Sequence, residues 1–298
     1  MKIPLLKQVI LASIVASLAA PSALIVTSAL AATSASAATP KDPVLSEVIA
    51  GDWRSADEKS RDAARKPVEN LQFWGLKPGA SILEVQPGGG WWTRILAPYA
   101  ARTGGRYSAT AADLANPSIT EAARKSRADF AARFADDKIY GKVELVNWGA
   151  TAAPLAASSY DFILLSRVIH GWMRVEGLVD RHFASLAVSL KPGGVLAVEQ
   201  HRANPGPQDP KAESGYVTEA YVIAAAEKAG LRLADRSQIN ANPNDTKDHP
   251  FGVWTLPPTR STVPYGSGKA PDPNFDRSKY DAIGESDRMT LRFVKSAP

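Results

Sequence analysis

The sequence predicts an α/β protein built on a doubly wound, mostly parallel sheet. Short apolar runs of strand length alternate with segments of helical periodicity over most of the chain. The run at 160–166, YDFILLS, is apolar through its middle, as a central strand covered on both faces must be. The last apolar run, 289–294, has no helix before it. We therefore expect it to pair antiparallel with the strand that precedes it.

Composition excludes several classes of protein. The 298 residues are 45% hydrophobic and 22% charged, as in an ordinary globular chain. Cysteine is absent, which excludes disulfides, thiolate metal sites and a cysteine nucleophile. The net charge of +5 comes without a block of Lys or Arg, so no nucleic-acid partner is expected. The four histidines lack the H-x-x-x-H spacing, so no dedicated metal site is expected.

Residues 1–37 have the pattern of a secretory signal peptide. Two lysines precede an uncharged run from Val9 to Ala31, and the small residues at 35–37 offer a cleavage site. We expect an exported protein, in a bacterial periplasm, with no stable membrane insertion after cleavage. The alternative is an uncleaved anchor, because about twenty apolar residues can span a bilayer. The sequence does not indicate an oligomeric state.

A helical segment is expected at residues 38–78. Ser55 and Glu58 have the spacing of a capping box, in which each side chain binds a free backbone N–H at a helix start. Asp57 and Arg61 lie one turn apart on this helix and can form an ion pair or a solvated charged face.

The remaining elements follow in one domain, residues 79–298. The predicted strands are 81–86, 106–110, 143–147, 160–166, 195–199, 231–234 and 289–294. The predicted helices are 92–96, 119–134, 175–190 and 218–228.

An unusual segment, residues 239–287, is rich in proline and aromatic residues and has no clear periodicity. If the preceding strand is parallel to the others, this insert leaves from the carboxyl ends of the strands, where open α/β sheets bind ligands. We interpret it as a lid or substrate wall, with a packing extension over a sheet edge as the alternative.

A glycine-rich turn follows the first strand. Glu84 ends the strand, and Gly88, Gly89 and Gly90 allow a ligand to approach the backbone before the next helix offers its free N–H groups. The turn predicts a polar, nucleotide-like ligand. The third glycine of a dinucleotide fingerprint is missing, and G-S-G-K at 266–269 lacks the other residues of a P-loop.

Three landmarks in order resemble class I S-adenosylmethionine-dependent methyltransferases. The segment 84–93, EVQPGGGWWT, resembles the E/D-x-G-x-G-x-G motif after the first strand. Residues 160–170 are similar to the fourth strand and its loop, and LKPGGVL at 190–196 resembles the approach to the fifth strand. Three short segments further resemble a subgroup of exported predicted methyltransferases. They are W-W-T in the first landmark, residues 199–202 and residues 284–290.

The resemblance implies a Rossmann-like, seven-stranded sheet with an antiparallel last strand, S-adenosylmethionine as cofactor, and methyl transfer to a small molecule. It places Glu84 near the methionine ammonium group, and Gly88, Gly89 and Gly90 against the cofactor. Gln86 replaces the first glycine of the motif.

Further cofactor contacts are expected after the second and third strands. The resemblance requires an acid for the ribose hydroxyls, and Asp113 is the nearest candidate, although it lies past the predicted strand. Asn147 and Trp148 replace the acid that often binds adenine. Asn147 can form a hydrogen bond there, and Trp148 can stack.

The acceptor side is expected at His170, just beyond the fourth strand, where an imidazole can remove a proton near neutral pH. His201 and Glu199 follow the fifth strand at the same edge and are further catalytic candidates, whereas His182 lies inside a helix and is interpreted as structural. A non-catalytic binding protein on a degenerate methyltransferase fold is one alternative. A hydrolase using His170 is another, although no G-x-S-x-G elbow is present.

Overall fold

A computed structural model describes residues 42–297. Its strands are β1 (Ser81–Val85), β2 (Arg106–Ala112), β3 (Val143–Trp148), β4 (Tyr160–Ser166), β5 (Leu190–His201), β6 (Leu231–Ser237), β7 (Pro250–Val253) and β8 (Arg288–Lys295). Seven of these strands form one sheet in the order β3-β2-β1-β4-β5-β8-β6. β8 runs antiparallel to both β5 and β6, and the other pairs are parallel. The predicted Rossmann-like sheet with an antiparallel last strand is confirmed.

Three strands, β2, β5 and β6, extend at least two residues beyond their predicted bounds. β2 continues to Ala112 because small residues, which give a weak strand signal, still pair with β3 as far as Trp148. β5 begins at Leu190, because the K-P-G-G segment at 191–194 is accommodated by an irregular register against β4.

Helices flank the sheet. They are α1 (Pro43–Ala50), α2 (Ala56–Ser60), α3 (Asp62–Arg65), α4 (Pro67–Trp74), α5 (Thr93–Thr103), α6 (Glu121–Arg133), α7 (Asp137–Tyr140), α8 (Ile169–Trp172), α9 (Leu178–Ser189), α10 (Glu219–Lys228) and α11 (Ser278–Ile283). The capping box at α2 is confirmed, since Ser55 Oγ accepts from the Glu58 N–H and Glu58 Oε2 accepts from the Ser55 N–H. Within residues 42–297 the Asp57 and Arg61 side chains form no ion pair with each other.

Alternate residues of the central strands enter two apolar layers. Phe162 and Leu164 of β4 join the layer that includes α5, whereas Ile163 and Leu165 join the layer that includes α9. Each such side chain contributes about 1.5–3 kcal/mol on burial. The rigid centre of the sheet thereby places the carboxyl ends of β1, β4 and β5 side by side.

The insert at 239–287 contains β7 and α11 and returns to the N-terminal helices. Asn240 and Asn70 exchange two buried amide hydrogen bonds, of 3.1 and 2.9 Å. The predicted signal peptide lies outside the described residues. Between residues 42 and 297, no helix combines the length and apolar character needed to cross a membrane.

Candidate functional site

Two cavities open at the carboxyl ends of the parallel strands, the ligand-binding edge of open α/β sheets. The large cavity, of about 700 Å³, is bordered by α2, α3, the loop after β4, the end of β5 and the insert. The small cavity, of about 400 Å³, is bordered by the ends of β2 and β3 and by α6. Gln86, Pro87 and Gly88 border both. The turn after β1 therefore lies between two neighbouring binding spaces.

The three glycines of this turn have different roles. Gly88 has a φ of +57°, and a Cβ on Gly88 or Gly89 would meet no protein atom within 4 Å. Gly90 has a φ of +80°, and a Cβ there would lie 2.3 Å from the Phe134 ring. Gly88 and Gly89 thus leave backbone open to a ligand, whereas Gly90 is required by packing.

Gln86 keeps the left-handed backbone that a glycine would adopt, with a φ of +50°. Its N–H donates to Thr110 Oγ1 (2.7 Å), and its Oε1 accepts from Trp172 Nε1 (2.7 Å). A non-glycine residue in this conformation costs of order 1–3 kcal/mol and occurs most often at functional sites. The substitution therefore retains the turn and links it to α8 by a side-chain hydrogen bond.

Glu84 lies in the protein interior and does not border either cavity of the described chain. Its Oε2 accepts from Tyr107 Oη (2.6 Å) and Thr93 Oγ1 (2.9 Å). Burial raises the pKa of Glu84 to about 7, against the opposing effect of these two hydroxyls. Through Thr93 at the start of α5, Glu84 thus supports the turn between β1 and α5, and its expected place near the methionine ammonium group stays a prediction.

The other predicted cofactor residues lie at the ends of β2 and β3. Asp113 directly follows β2, closer to the sheet than predicted, and its Oδ1 accepts from the Ala115 N–H (2.9 Å). Asn147 accepts a 3.0 Å hydrogen bond from Arg127, which borders the small cavity. Trp148 also borders it, and its buried Nε1 has no partner in the described part of the chain. This indole N–H is therefore a buried donor whose hydrogen bond is not satisfied by the described chain.

His170 borders the large cavity, and hydrogen bonds define its tautomer. Gln200 Oε1 accepts from the Ile169 N–H, and its Nε2 donates to the Gly215 carbonyl (3.3 Å). These two backbone groups orient the amide, so Nε2 also donates to His170 Nδ1 (3.2 Å). Burial, then the charges of nearby arginines, lower the pKa of His170 to about 4. The neutral ring therefore carries its proton on Nε2 and presents a donor.

His201 lies beside His170, with ring centroids 5.7 Å apart, and also borders the large cavity. Its Nδ1 is 2.6 Å from Ser286 Oγ. Burial, then neighbouring charged groups, lower the pKa of His201 well below its usual range. The structure thus brings the two predicted histidines together, both in neutral form.

Glu199, the third predicted catalytic residue, is held in an ion pair instead. It accepts from Arg288 Nη1 and from Ser166 Oγ (2.7 Å), and it is not among the residues that border the two cavities of the described chain. Burial alone would raise its pKa, but Arg288 and then Arg167 lower the pKa of Glu199 to about 2. A carboxylate this strongly paired is suited to positioning rather than to proton transfer.

The ion pair extends into a buried network that joins distant segments. Arg288, at the start of β8, also contacts Glu285 (3.2 Å), and the Nε of Arg65 in α3 donates to both Glu285 oxygens at 3.0 Å. Arg288 further donates to the Ala64 carbonyl (3.0 Å). This network fixes the N-terminal helices and the end of the insert against β5, and so shapes one side of the large cavity.

Several bordering residues were not predicted. From the insert, Trp254 stacks on Tyr265 (centroids 5.0 Å apart, 6° between planes) and lies 5.7 Å from the His170 ring. Both aromatic residues border the large cavity, so the insert forms a wall there. Arg61 and Arg167 border it too. Arg167 follows a buried strand at the ligand-binding edge, a signal that could have identified it.

Comparisons with known proteins agree with this geometry. Residues 83–198 match the family model described as a methyltransferase domain. No curated protein matches the sequence significantly.

One solved structure shares the fold. It is a protein from Galdieria sulphuraria assigned as a sarcosine dimethylglycine methyltransferase, with a TM-score of 0.52 at 16% identity, covering 81% of this chain and 88% of that one. At this identity the likeness concerns the fold alone. Two further matches have lower scores: the [4+2]-cyclase SpnF has a TM-score of 0.48 at 14% identity, covering 83% and 85%, and a SAM-dependent methyltransferase from Aquifex aeolicus has a TM-score of 0.44 at 20% identity, covering 61% and 87%.

Proposed function

We propose that residues 83–198 form a methyltransferase domain of the class I S-adenosylmethionine-dependent superfamily. On this premise, the protein is an exported enzyme that methylates a small molecule bound in the large cavity. Its cofactor is S-adenosylmethionine. When bound, the cofactor supplies an electrophilic sulfonium methyl group that the acceptor takes by in-line displacement. The arrangement that supports this proposal best is the pair of cavities that meet at Gly88.

The residues of the small cavity fit the nucleoside part of this cofactor. Gly88 and Gly89 leave open space where a side chain would stand, so ligand atoms can approach their backbone. The unpartnered Trp148 Nε1 offers a donor. Asp113 does not itself border the small cavity of the described chain, but it directly follows Ala112, which does, and its carboxylate can accept from ribose hydroxyls. The chain's role is to hold this part still while the large cavity orients the acceptor.

The large cavity would position the acceptor and exclude water. A volume of about 700 Å³ falls in the range of small-molecule sites. The neutral His170 donates from Nε2, which suits orientation of an acceptor oxygen. An imidazolium pKa of about 4 is poorly matched to removal of a proton at neutral pH. Orientation is therefore the larger contribution expected from His170.

Location in the cell envelope rests on the N-terminal segment, with its two lysines, uncharged run and small residues. N-terminal sequencing of the protein recovered from a periplasmic fraction should begin at residue 38. A sequence that begins at Met1 in the membrane fraction would support an anchor instead.

Titration calorimetry of the purified protein with S-adenosylhomocysteine tests the proposal. G88D places a charged side chain in the open space beside the turn, at a residue with positive φ, and should weaken binding at least about tenfold. G193D is the matched control, because Gly193 also has positive φ (+76°) with nothing within 4 Å of a Cβ, at the start of β5. Equal loss in both variants, or no binding by the native protein, would contradict the proposal.

A second assay distinguishes an enzyme from a binding protein. It measures the transfer of a labelled methyl group from S-adenosylmethionine to the small molecules of a cell extract. The native protein should yield a labelled product that G88D does not. Cofactor binding without any labelled product would favour the alternative, a non-catalytic binding protein. The observation that supports this alternative is Gln86, which stands in the place of the first motif glycine.

A further inference from the structure

Three carboxylates and three guanidinium groups border the large cavity, and two of these guanidinium groups have no ion-pair partner within residues 42–297. Of the acids that border it, Glu58 pairs with Arg94 (3.0 Å) and Glu285 with Arg65 (3.0 Å). Two further guanidinium groups, those of Arg61 and Arg167, border the cavity.

Neither of these two forms an ion pair anywhere in residues 42–297. Asp57, the remaining bordering carboxylate, also has no ion pair in that range. Because Glu58 is paired with Arg94, which is not among the described residues that border the cavity, one positive charge is left over in this region.

Arg167 is held at the cavity by a strained backbone. It directly follows β4 with a φ of +60°, a conformation that costs a non-glycine residue of order 1–3 kcal/mol. Its N–H donates to the Glu199 carbonyl (2.7 Å), and its Nε donates to Ser166 Oγ (3.3 Å). The remaining guanidinium N–H groups are not used by a carboxylate of the described chain. Strain of this kind at a ligand-binding edge indicates that the side chain is placed for a ligand.

His170 adds a neutral donor to the same wall. Because Gln200 donates to Nδ1, the ring proton is on Nε2, and the cavity wall gains an N–H rather than a proton acceptor. Guanidinium groups and an imidazole N–H are the groups that bind carboxylate and phosphate oxygens.

We propose that the large cavity binds an acceptor that carries an oxyanion, a carboxylate or a phosphate, through Arg61, Arg167 and the Nε2–H of His170. The identification of the bound molecule as the methyl acceptor rests on the proposed function. The binding of an oxyanion in this cavity is independent of the proposed function.

Calorimetry with three probes that share a phenyl ring tests this proposal: benzoate, its neutral isostere benzamide, and phenyl phosphate, each with S-adenosylhomocysteine present. At least one anion should bind about tenfold more tightly than benzamide. R167Q should lower the affinity for the anion to that for benzamide, and R61Q should lower it severalfold. R167K, which keeps the positive charge, should bind the anion more tightly than R167Q and less tightly than the native protein. R232Q, the same change at an exposed position on β6, should have no effect. The preferred anion distinguishes a carboxylate from a phosphate.

Two results would overturn the proposal: no saturable anion binding up to about 10 mM, or anion binding that R167Q leaves unchanged while its melting temperature stays native. The cofactor's own carboxylate is the rival occupant. If Arg167 binds the cofactor's carboxylate, R167Q will weaken the binding of S-adenosylhomocysteine. It will not weaken the binding of 5′-methylthioadenosine, which lacks the amino-acid part, and the proposal then fails. Failure of the proposed function looks different, since anion binding would then persist without cofactor binding.

Discussion

The two cavities are supported by buried carboxylates of opposite character. At the end of β1, the hydrogen-bond partners of the Glu84 side chain within residues 42–297 are the hydroxyl groups of Thr93 and Tyr107, and burial raises the pKa of Glu84 to about 7. Beside the large cavity, Glu199 is paired with Arg288, and the pKa falls to about 2. Both side chains are almost completely buried. Their partners, rather than their burial, decide which one is charged.

The difference shows how each region is assembled. Thr93 lies only nine residues from Glu84, so the support of the turn is built largely within one β-α unit. Arg288 lies 89 residues from Glu199 and further binds the N-terminal segment at Ala64. The turn region is thus a local construction, whereas the large cavity depends on buried charges brought together from across the chain.

Removing the cation beside Glu199 should have the largest effect. R288M leaves a buried carboxylate without its partner, which typically costs about 3–5 kcal/mol of unfolding free energy. Urea denaturation measures this loss as a lower midpoint. Because the small cavity does not use this network, variant protein that remains folded should bind S-adenosylhomocysteine with native affinity.

R260M is the control, since the Arg260–Asp281 pair has both side chains exposed and should contribute about 0–1 kcal/mol. If R288M costs no more than R260M, the network does not stabilise the large cavity as described here.

A smaller, pH-dependent effect is expected at Glu84. Below pH 4.5 its carboxyl is protonated in both the folded and the unfolded chain. Between pH 4.5 and about 7 the unfolded chain releases a proton that the folded chain retains, so stability falls by about 3 kcal/mol as pH rises.

E84Q removes this titration. Its stability relative to the native protein should therefore rise by about 3 kcal/mol from pH 4 to pH 8, measured by urea unfolding at each pH. E121Q, on the exposed first turn of α6, should show no such trend. A difference between E84Q and the native protein that stays constant with pH would mean that the pKa of Glu84 is the same in the folded and unfolded chains, and would contradict the raised pKa.

The sequence was informative where structure is local. The alternation of strands and helices, the turn at 84–90 and the antiparallel β8 all follow from short-range patterns, and the structure has them. β2 was placed two residues short because its small residues give a weak strand signal, which made Asp113 seem too distant.

The large cavity was less accessible to prediction. His170 and His201 were identified from their positions after strands, but the tautomer of His170 depends on Gln200, and the orientation of Gln200 depends on Ile169 and Gly215. Arg61 forms no ion pair with Asp57 in the described chain, and that it borders the cavity could not be predicted from its place on the helix. Such roles arise from tertiary contacts between distant segments, which one sequence does not display.

A crystal structure with S-adenosylhomocysteine and the preferred anionic probe tests the central claim most directly. We expect the nucleoside in the small cavity, with the Trp148 indole N–H donating to it and the Gly88 backbone in contact, and the anion on Arg167 in the large cavity. A nucleoside bound elsewhere, or the cofactor's carboxylate seated on Arg167 with the anion absent, would contradict the account.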